Sequence, residues 1–303
     1  MTQLQGNFDD FGMDTISLGG PLPAKLQAMR EAGFTQVMLS ARDLIGHEGG
    51  WRAAVDVVRD SGLRVTGFQV LRDFEGLAGH LHDYKVDIAK QMLEMCAALD
   101  CRVLLACSST STHATTDLDA MARDLRKLAM LAVPLNIRVA FEGLSWGRTI
   151  NEFTTAWDLV CRADVPNLGL GLDSYHVVAA KTALDDLDML DPRKIFLVQL
   201  ADFMWTEVRS FEERMATARH FRVFPGEGVH SEALAALVTR LDALGYRGDY
   251  SFEVFNDDYQ QIPQEAVCAR AKRSAVWLGE EVLRRSVPLP NRMRLKGRDA
   301  LRG

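Results

Sequence analysis

Short apolar runs alternate with helix-period segments along most of the chain. The runs are Thr15 to Leu18, Gln36 to Leu39, Arg64 to Gln69, Arg102 to Ala106, Arg138 to Glu142, Leu168 to Asp173, Ile195 to Leu200 and Tyr250 to Phe255. They are continuous rather than strictly alternating, as expected of strands buried on both faces of a parallel sheet. Between them, Leu22 to Ala32, Trp51 to Ser61, Tyr84 to Leu99, Leu118 to Leu131, Ser231 to Leu244 and Gln264 to Arg284 space apolar residues by three and four. Gly33, Gly62 and Gly245 follow three of these segments, where a left-handed residue ends a helix. Eight strand-helix units predict an α/β fold, a single-domain (β/α)8 TIM barrel, in preference to a doubly wound open sheet. The Gly-rich phosphate motifs of nucleotide folds are absent where such a sheet would need them. The sixth unit is the weakest, because Leu184 to Leu190 is short and acidic.

Composition narrows the partners. The 303 residues carry a net charge of −6, which argues against a general nucleic-acid or anionic-membrane binder and leaves small molecules as substrates. No apolar run approaches the ~20 residues that span a bilayer, and no leader-like pattern opens the chain, so a cytoplasmic location is expected. Cys96, Cys101, Cys107, Cys161 and Cys268 lie in apolar surroundings without C-x-x-C spacing and read as buried, reduced thiols. Residues 1–286 are assigned to the catalytic barrel, and 287–303, with Arg292, Arg294, Lys296, Arg298 and Arg302, to a basic, flexible tail. Association into a homo-oligomer is compatible with all of this.

In this fold chemistry gathers at the C-terminal ends of the strands. Glu142, Asp173, Gln199 and Glu253 all fall at such ends. A lone strand-end Glu is usually a salt-bridge partner, but three carboxylates converging on one mouth would repel one another, and a cation resolves the repulsion. Four oxygen donors suit a hard divalent ion such as Mg2+ or Mn2+, which would polarise a carbonyl and stabilise an enolate. His176, three residues after Asp173, is either a proton-transfer group or a residue that steadies its neighbours. His220 and Arg222 precede a Pro-Gly turn and could bind a substrate carboxylate or tie the loop to the barrel. Arg72, after the third strand, faces either the pocket or Asp73 and Glu75 on the rim. The long connection from Phe203 to Arg219 is of functional length, and its arginines have no assigned role.

The set Glu142, Asp173-x-x-His176, Gln199, Arg222-x-Phe-Pro-Gly-Glu-Gly and Phe252-Glu253-Val254-Phe255-Asn256-Asp257 resembles the sugar-phosphate isomerase/epimerase-like TIM barrels related to xylose isomerase. Within that group the chain is most similar to bacterial 3-dehydroshikimate dehydratases. The closer likeness rests on Phe68-Gln69-x-x-Arg72-Asp73-Phe74-Glu75-Gly76, on Cys107-Ser108-Ser109-Thr110 and on Glu253-Val254-Phe255-Asn256-Asp257-Asp258, and the likeness extends from about Asp14 to Arg285. The resemblance implies a hydro-lyase of quinate/shikimate catabolism that converts 3-dehydroshikimate, a cyclic keto acid, to protocatechuate through a metal-stabilised enolate. It makes Glu142, Asp173, Gln199 and Glu253 ligands of one divalent cation, Mg2+, Mn2+ or Co2+. His176 would be catalytic together with Glu142 and Glu253, and Arg72 and Arg222 would bind substrate. Ketose 3-epimerases of the superfamily usually have His where this chain has Gln199, which counts against epimerisation. A sugar or cyclitol isomerase, epimerase or inosose dehydratase remains the alternative. A DNA-repair nuclease on the same barrel would want a His-rich zinc cluster and a basic face, and the sequence offers neither. Some such dehydratases continue into a dioxygenase-like domain; the barrel alone is expected here.

Overall fold

The computed structural model describes residues 9–285; the basic tail expected at 287–303 lies outside the described residues. Eight parallel strands close into a barrel: β1 (Phe11–Asp14), β2 (Gln36–Ser40), β3 (Arg64–Arg72), β4 (Val103–Cys107), β5 (Arg138–Glu142), β6 (Leu168–Asp173), β7 (Ile195–Leu200) and β10 (Tyr250–Phe252). β10 pairs with both β7 and β1, which closes the ring. A separate antiparallel pair, β8 (Asp202–Phe203) and β9 (Arg222–Val223), sits in the connection between β7 and β10.

The helices are α1 (Leu22–Glu31), α2 (Ala41–Ile45), α3 (Gly50–Ser61), α4 (Gly79–Ala98), α5 (Leu118–Ala132), α6 (Phe153–Ala163), α7 (Ser174–Ala180), α8 (Phe211–His220), α9 (Ser231–Leu244) and α10 (Gln264–Val276). Their apolar stripes cover the outside of the barrel and, with the buried faces of the strands, form a core that runs from Phe11 to Leu278. α3 and α9 end at Gly62 and Gly245 with φ of 71° and 100°, values that favour glycine at the stop.

Three expectations need correction. The first strand is Phe11–Asp14, and Thr15–Ser17 is a 3-10 turn. Asp14 causes the change: its carboxylate accepts the Ile16 N–H at 2.8 Å, drawing the chain out of the sheet before the apolar run of Thr15 to Leu18. The segment from Gln264 to Arg284 is α-helical only to Val276 and continues as a π-helical stretch, Trp277–Val282. The sixth connection, the weakest in the sequence, is made of α7 and a short 3-10 segment, Leu184–Met189. All five cysteines are free, but Cys161 is exposed on α6 while the other four are buried. Among the described residues no helix is long and apolar enough to cross a membrane.

Candidate active site

Strand register sets the site. Cys107 stands opposite Glu142, Asp173 opposite Gln199, and Gln199 opposite Ser251, so side chains from β4, β5, β6, β7 and β10 meet at one end of the barrel. Glu253 follows β10 directly. β3 spends three steps from Phe68 to Leu71 where β4 spends two from Leu104 to Ala106, and this bulge re-aims Gln69 and Arg72 toward the same mouth.

Five expected residues are buried there: Glu142 (4% exposed), Asp173 (2%), Gln199 (0%), Glu253 (5%) and His176 (5%). Asp173 divides its two oxygens between tasks. Its Oδ1 accepts the Tyr175 N–H at 2.8 Å and so caps α7, while Oδ2 lies 2.6 Å from Arg222 Nη1 and 3.6 Å from His176 Nε2. Glu142 accepts the Cys107 thiol proton at one oxygen, Sγ to Oε2 being 2.9 Å, and its Oε1 has no partner. Burial first, and then the charges of Asp173 and Glu253, push the Glu142 carboxyl well above its ordinary range. Glu253 is raised as well, by burial and with Arg222 opposing the shift.

The imidazole of His176 is held at Nδ1, which lies 3.1 Å from both the backbone nitrogen and the hydroxyl oxygen of Ser145. The Ser145 N–H points its fixed proton at Nδ1, so Nδ1 is bare, the hydroxyl can donate to it as well, and the proton of the neutral ring sits on Nε2. Burial, followed by the charges of Arg222 and Arg72, lowers the His176 pKa well below its usual value and keeps the ring neutral. Trp146 packs edge-on against this ring, with centroids 4.9 Å apart.

The guanidinium of Arg222, read as either a substrate-carboxylate binder or a tie between the loop and the barrel, makes the tie through Nε and Nη1, while Nη2 has no hydrogen-bond partner and the residue lines the inner pocket. Nη1 donates to Asp173 and to Glu253 Oε2 at 3.0 Å, Nε donates to the Ala218 carbonyl at 2.8 Å, and the group lies over the Tyr175 ring at 4.6 Å. Burial opposes its charge, but the two carboxylates outweigh burial and raise its pKa. His220 is not part of this cluster. It is exposed at the end of α8, bonded to Asp257 at 3.0 Å, and lines an outer cavity of about 970 Å³. Arg72 does line the inner pocket, with Gln69, Cys107, Glu142, Trp146, His176 and Glu253 among its neighbours.

A divalent cation fits the donors present. The Gln199 amide has no partner at either terminal atom although it is fully buried, and Glu142 Oε1 is likewise bare. Glu142, Asp173 and His176 each offer one ligand atom, all within 4.8 Å of one another, which adds His176 to the possible donors. The inner pocket measures about 20 Å³, room for one ion or water.

Three further residues belong to the site without standing out in the sequence. Asp14 is fully buried, is bonded by the Gln69 amide and is raised by burial and then by Glu253. Trp146 and Ser145 follow β5 closely, and the strand-end rule applied to the residues after Glu142 points to them.

The comparisons agree with this architecture. A family profile described as "Xylose isomerase-like TIM barrel" matches residues 26–278. The chain is 37% identical over 277 residues to a 3-dehydroshikimate dehydratase of Pseudomonas aeruginosa, covering 90% of this chain and 43% of that protein. It is 35% identical to the enzyme of the same name from Pseudomonas putida, covering 88% of this chain and 41% of that one. The chain therefore spans less than half the length of these curated relatives. Among solved structures, a xylose isomerase-like TIM barrel/4-hydroxyphenylpyruvate dioxygenase fusion protein superposes with a TM-score of 0.84 at 33% identity, over 93% of this chain and 45% of that one. An IOLI protein with a bound zinc atom shares the fold, with a TM-score of 0.78 at 20% identity over 90% of this chain and 99% of that one. The matched profile spans nearly all of the barrel, from α1 to the end of the last helix, and the chain belongs to the xylose isomerase-like TIM barrel family.

Proposed function

We propose that this barrel is a divalent-cation-dependent hydro-lyase that removes water from 3-dehydroshikimate to give protocatechuate. The observation that carries the reading is the buried cluster of Glu142, Asp173, Gln199, Glu253 and His176 at the strand ends, in a chain 37% identical to a 3-dehydroshikimate dehydratase over 90% of its length. Glu142, Asp173, Gln199 and Glu253 would hold the cation, which supplies polarisation of the substrate ketone and acidifies the neighbouring C–H.

The residues supply the rest. With Nδ1 accepting the Ser145 N–H, the neutral His176 ring presents its Nε2–H to the pocket and donates to a substrate oxygen there. Glu253 or Glu142, which flank the pocket, accepts the proton released from carbon and then hands it to the departing hydroxyl, which leaves as water. Arg222 pairs with Asp173 and Glu253 and fixes their orientation. Trp146 covers the imidazole and limits water in the pocket.

A second reading is favoured by likeness to inosose isomerases, at 27% identity over 64% of this chain for the Bacillus licheniformis protein. Separate incubations of the Mn2+-loaded protein with 3-dehydroshikimate and with an inosose, with products resolved by chromatography and mass, decide between the two. The proposal expects protocatechuate from the first and no rearrangement of the second; an isomerised inosose beside unchanged 3-dehydroshikimate overturns it.

A further inference from the structure

We infer that Arg219, at the C-terminal end of α8, forms with Arg72 the subsite that holds the substrate's carboxylate. The inference rests on the dehydratase reading above and deepens it. It begins from Arg222, whose Nε and Nη1 are directed to Ala218, Asp173 and Glu253, so that only Nη2 is left for a ligand and this arginine cannot grip the carboxylate of a keto acid bidentately by itself.

Two other guanidiniums remain. Arg72, the last residue of β3, and Arg219 both line the inner pocket. Among the described residues neither side chain makes an ion pair or hydrogen bond, in contrast to Arg64 on Asp249, Arg240 on Asp188 and Arg270 on Glu227. Around the outer cavity Lys25 is matched by Asp43 at 2.8 Å and His220 is bonded to Asp257 at 3.0 Å, while Arg42 lines that cavity without reaching the inner pocket. Burial and then the charge of Arg72 lower the pKa of Arg219, so the two guanidiniums feel each other across the pocket. Two like charges lining one pocket form an electrostatic trap for an anion, and a planar carboxylate meets guanidinium geometry bidentately.

The cavities give the position. The inner pocket of about 20 Å³ cannot contain a six-membered ring, whereas the outer cavity of about 970 Å³ can. Arg219 and Phe255 line both, so a ring whose ketone end reaches the inner carboxylates passes these two side chains. Arg219 then meets the substrate's carboxylate where the two cavities join. Phe255 offers the ring an apolar wall at the same level.

The test compares wild type with Arg219→Gln, Arg219→Lys, Arg72→Gln and Arg52→Gln, all Mn2+-loaded. Arg52, on α3 and paired with Glu94, lines neither cavity and serves as the control. Loss of a charged, bidentate contact should raise KM for 3-dehydroshikimate about 10- to 100-fold in Arg219→Gln, with kcat changed less than about threefold and Arg219→Lys intermediate. Arg52→Gln should stay near wild type. Calorimetric titration with shikimate, a carboxylate probe that needs no turnover, should show the same loss of affinity in Arg219→Gln. Wild-type KM and wild-type shikimate affinity in Arg219→Gln overturn the subsite, as does a wild-type protein that binds no shikimate. Shikimate binding that depends on Arg219 in a protein inert toward 3-dehydroshikimate would retain the subsite and reject the dehydratase reading. Turnover with unchanged KM in Arg219→Gln would do the reverse.

Discussion

Glu75 follows β3 in a polar run, Asp73-Phe74-Glu75-Gly76, that reads as an exposed loop, yet its side chain is 1% exposed. One oxygen accepts the Ser109 N–H and the other has no partner. Burial pushes its pKa up to about 8, against an ordinary value of 4.5. Between those two pH values the unfolded chain loses this proton and the folded chain keeps it, so the native state binds more protons and stability falls as pH rises. The cost approaches roughly 5 kcal/mol above the folded pKa, since each tenfold change in proton affinity is worth about 1.4 kcal/mol. Glu75→Gln should therefore raise the thermal midpoint above wild type at pH 8, with the gap closing at pH 5. Midpoints measured across that range check it, and a gap that widens toward acid pH would contradict the burial argument. The candidate site is unevenly legible at this scale. Glu142, Asp173, Gln199, Glu253 and His176 stand at strand ends where the barrel rule directs attention. Asp14 is hidden because its turn-forming hydrogen bond ends β1 just where the apolar pattern of Thr15 to Leu18 begins. The pairing of Arg222 with Asp173 and Glu253 depends on residues 49 and 31 positions away, a distance at which local pattern carries no information.

At the scale of elements, the connection between β7 and β10 is the part the pattern describes least well. Its apolar periodicity is weak, and α8 owes its start to a capping box: Ser210 Oγ accepts the Glu213 N–H at 3.1 Å and the Glu213 carboxylate returns to the Ser210 N–H at 3.1 Å. The resulting helix carries Arg219 and His220 in its last turn and delivers Arg222 to β9, which pairs with β8. Ser210→Ala removes one side of the box and should cost about 1 kcal/mol of local helix stability. Hydrogen exchange should report this as faster exchange within α8 and unchanged exchange in β4 to β7; uniform acceleration through the barrel would show that α8 is not a separate unit. The strands are far easier to read. β5, β6 and β7 fall at their expected bounds because a run buried on both faces admits few other interpretations. In β6 the glycine at position 169 has a steric cause, since a Cβ there would lie 2.2 Å from the Lys194 carbonyl oxygen.

For the whole molecule, eight repeats of strand and helix in fewer than 280 residues leave a closed barrel as the economical packing, and β10 completes it against β1. Closure brings residues from Asp14 to Glu253 to a single mouth, where three buried carboxylates, Glu142, Asp173 and Glu253, face the buried guanidinium of Arg222. That excess of negative charge, together with the unpartnered Gln199 amide, is the physical case for a bound cation. The same closure explains why substrate is harder to read than fold: the barrel specifies where ligands converge, while Arg72, Arg219 and Phe255, which shape the space above them, lie where strands give way to connections of irregular length. The most direct test of the central claim is the ultraviolet time course of protocatechuate formation from 3-dehydroshikimate by the purified protein. Activity should vanish after EDTA treatment and return on addition of Mg2+, Mn2+ or Co2+, and Glu142→Gln should fail to recover it. Undiminished turnover after complete removal of divalent ions, or unchanged 3-dehydroshikimate with the metal-loaded protein, would contradict the account.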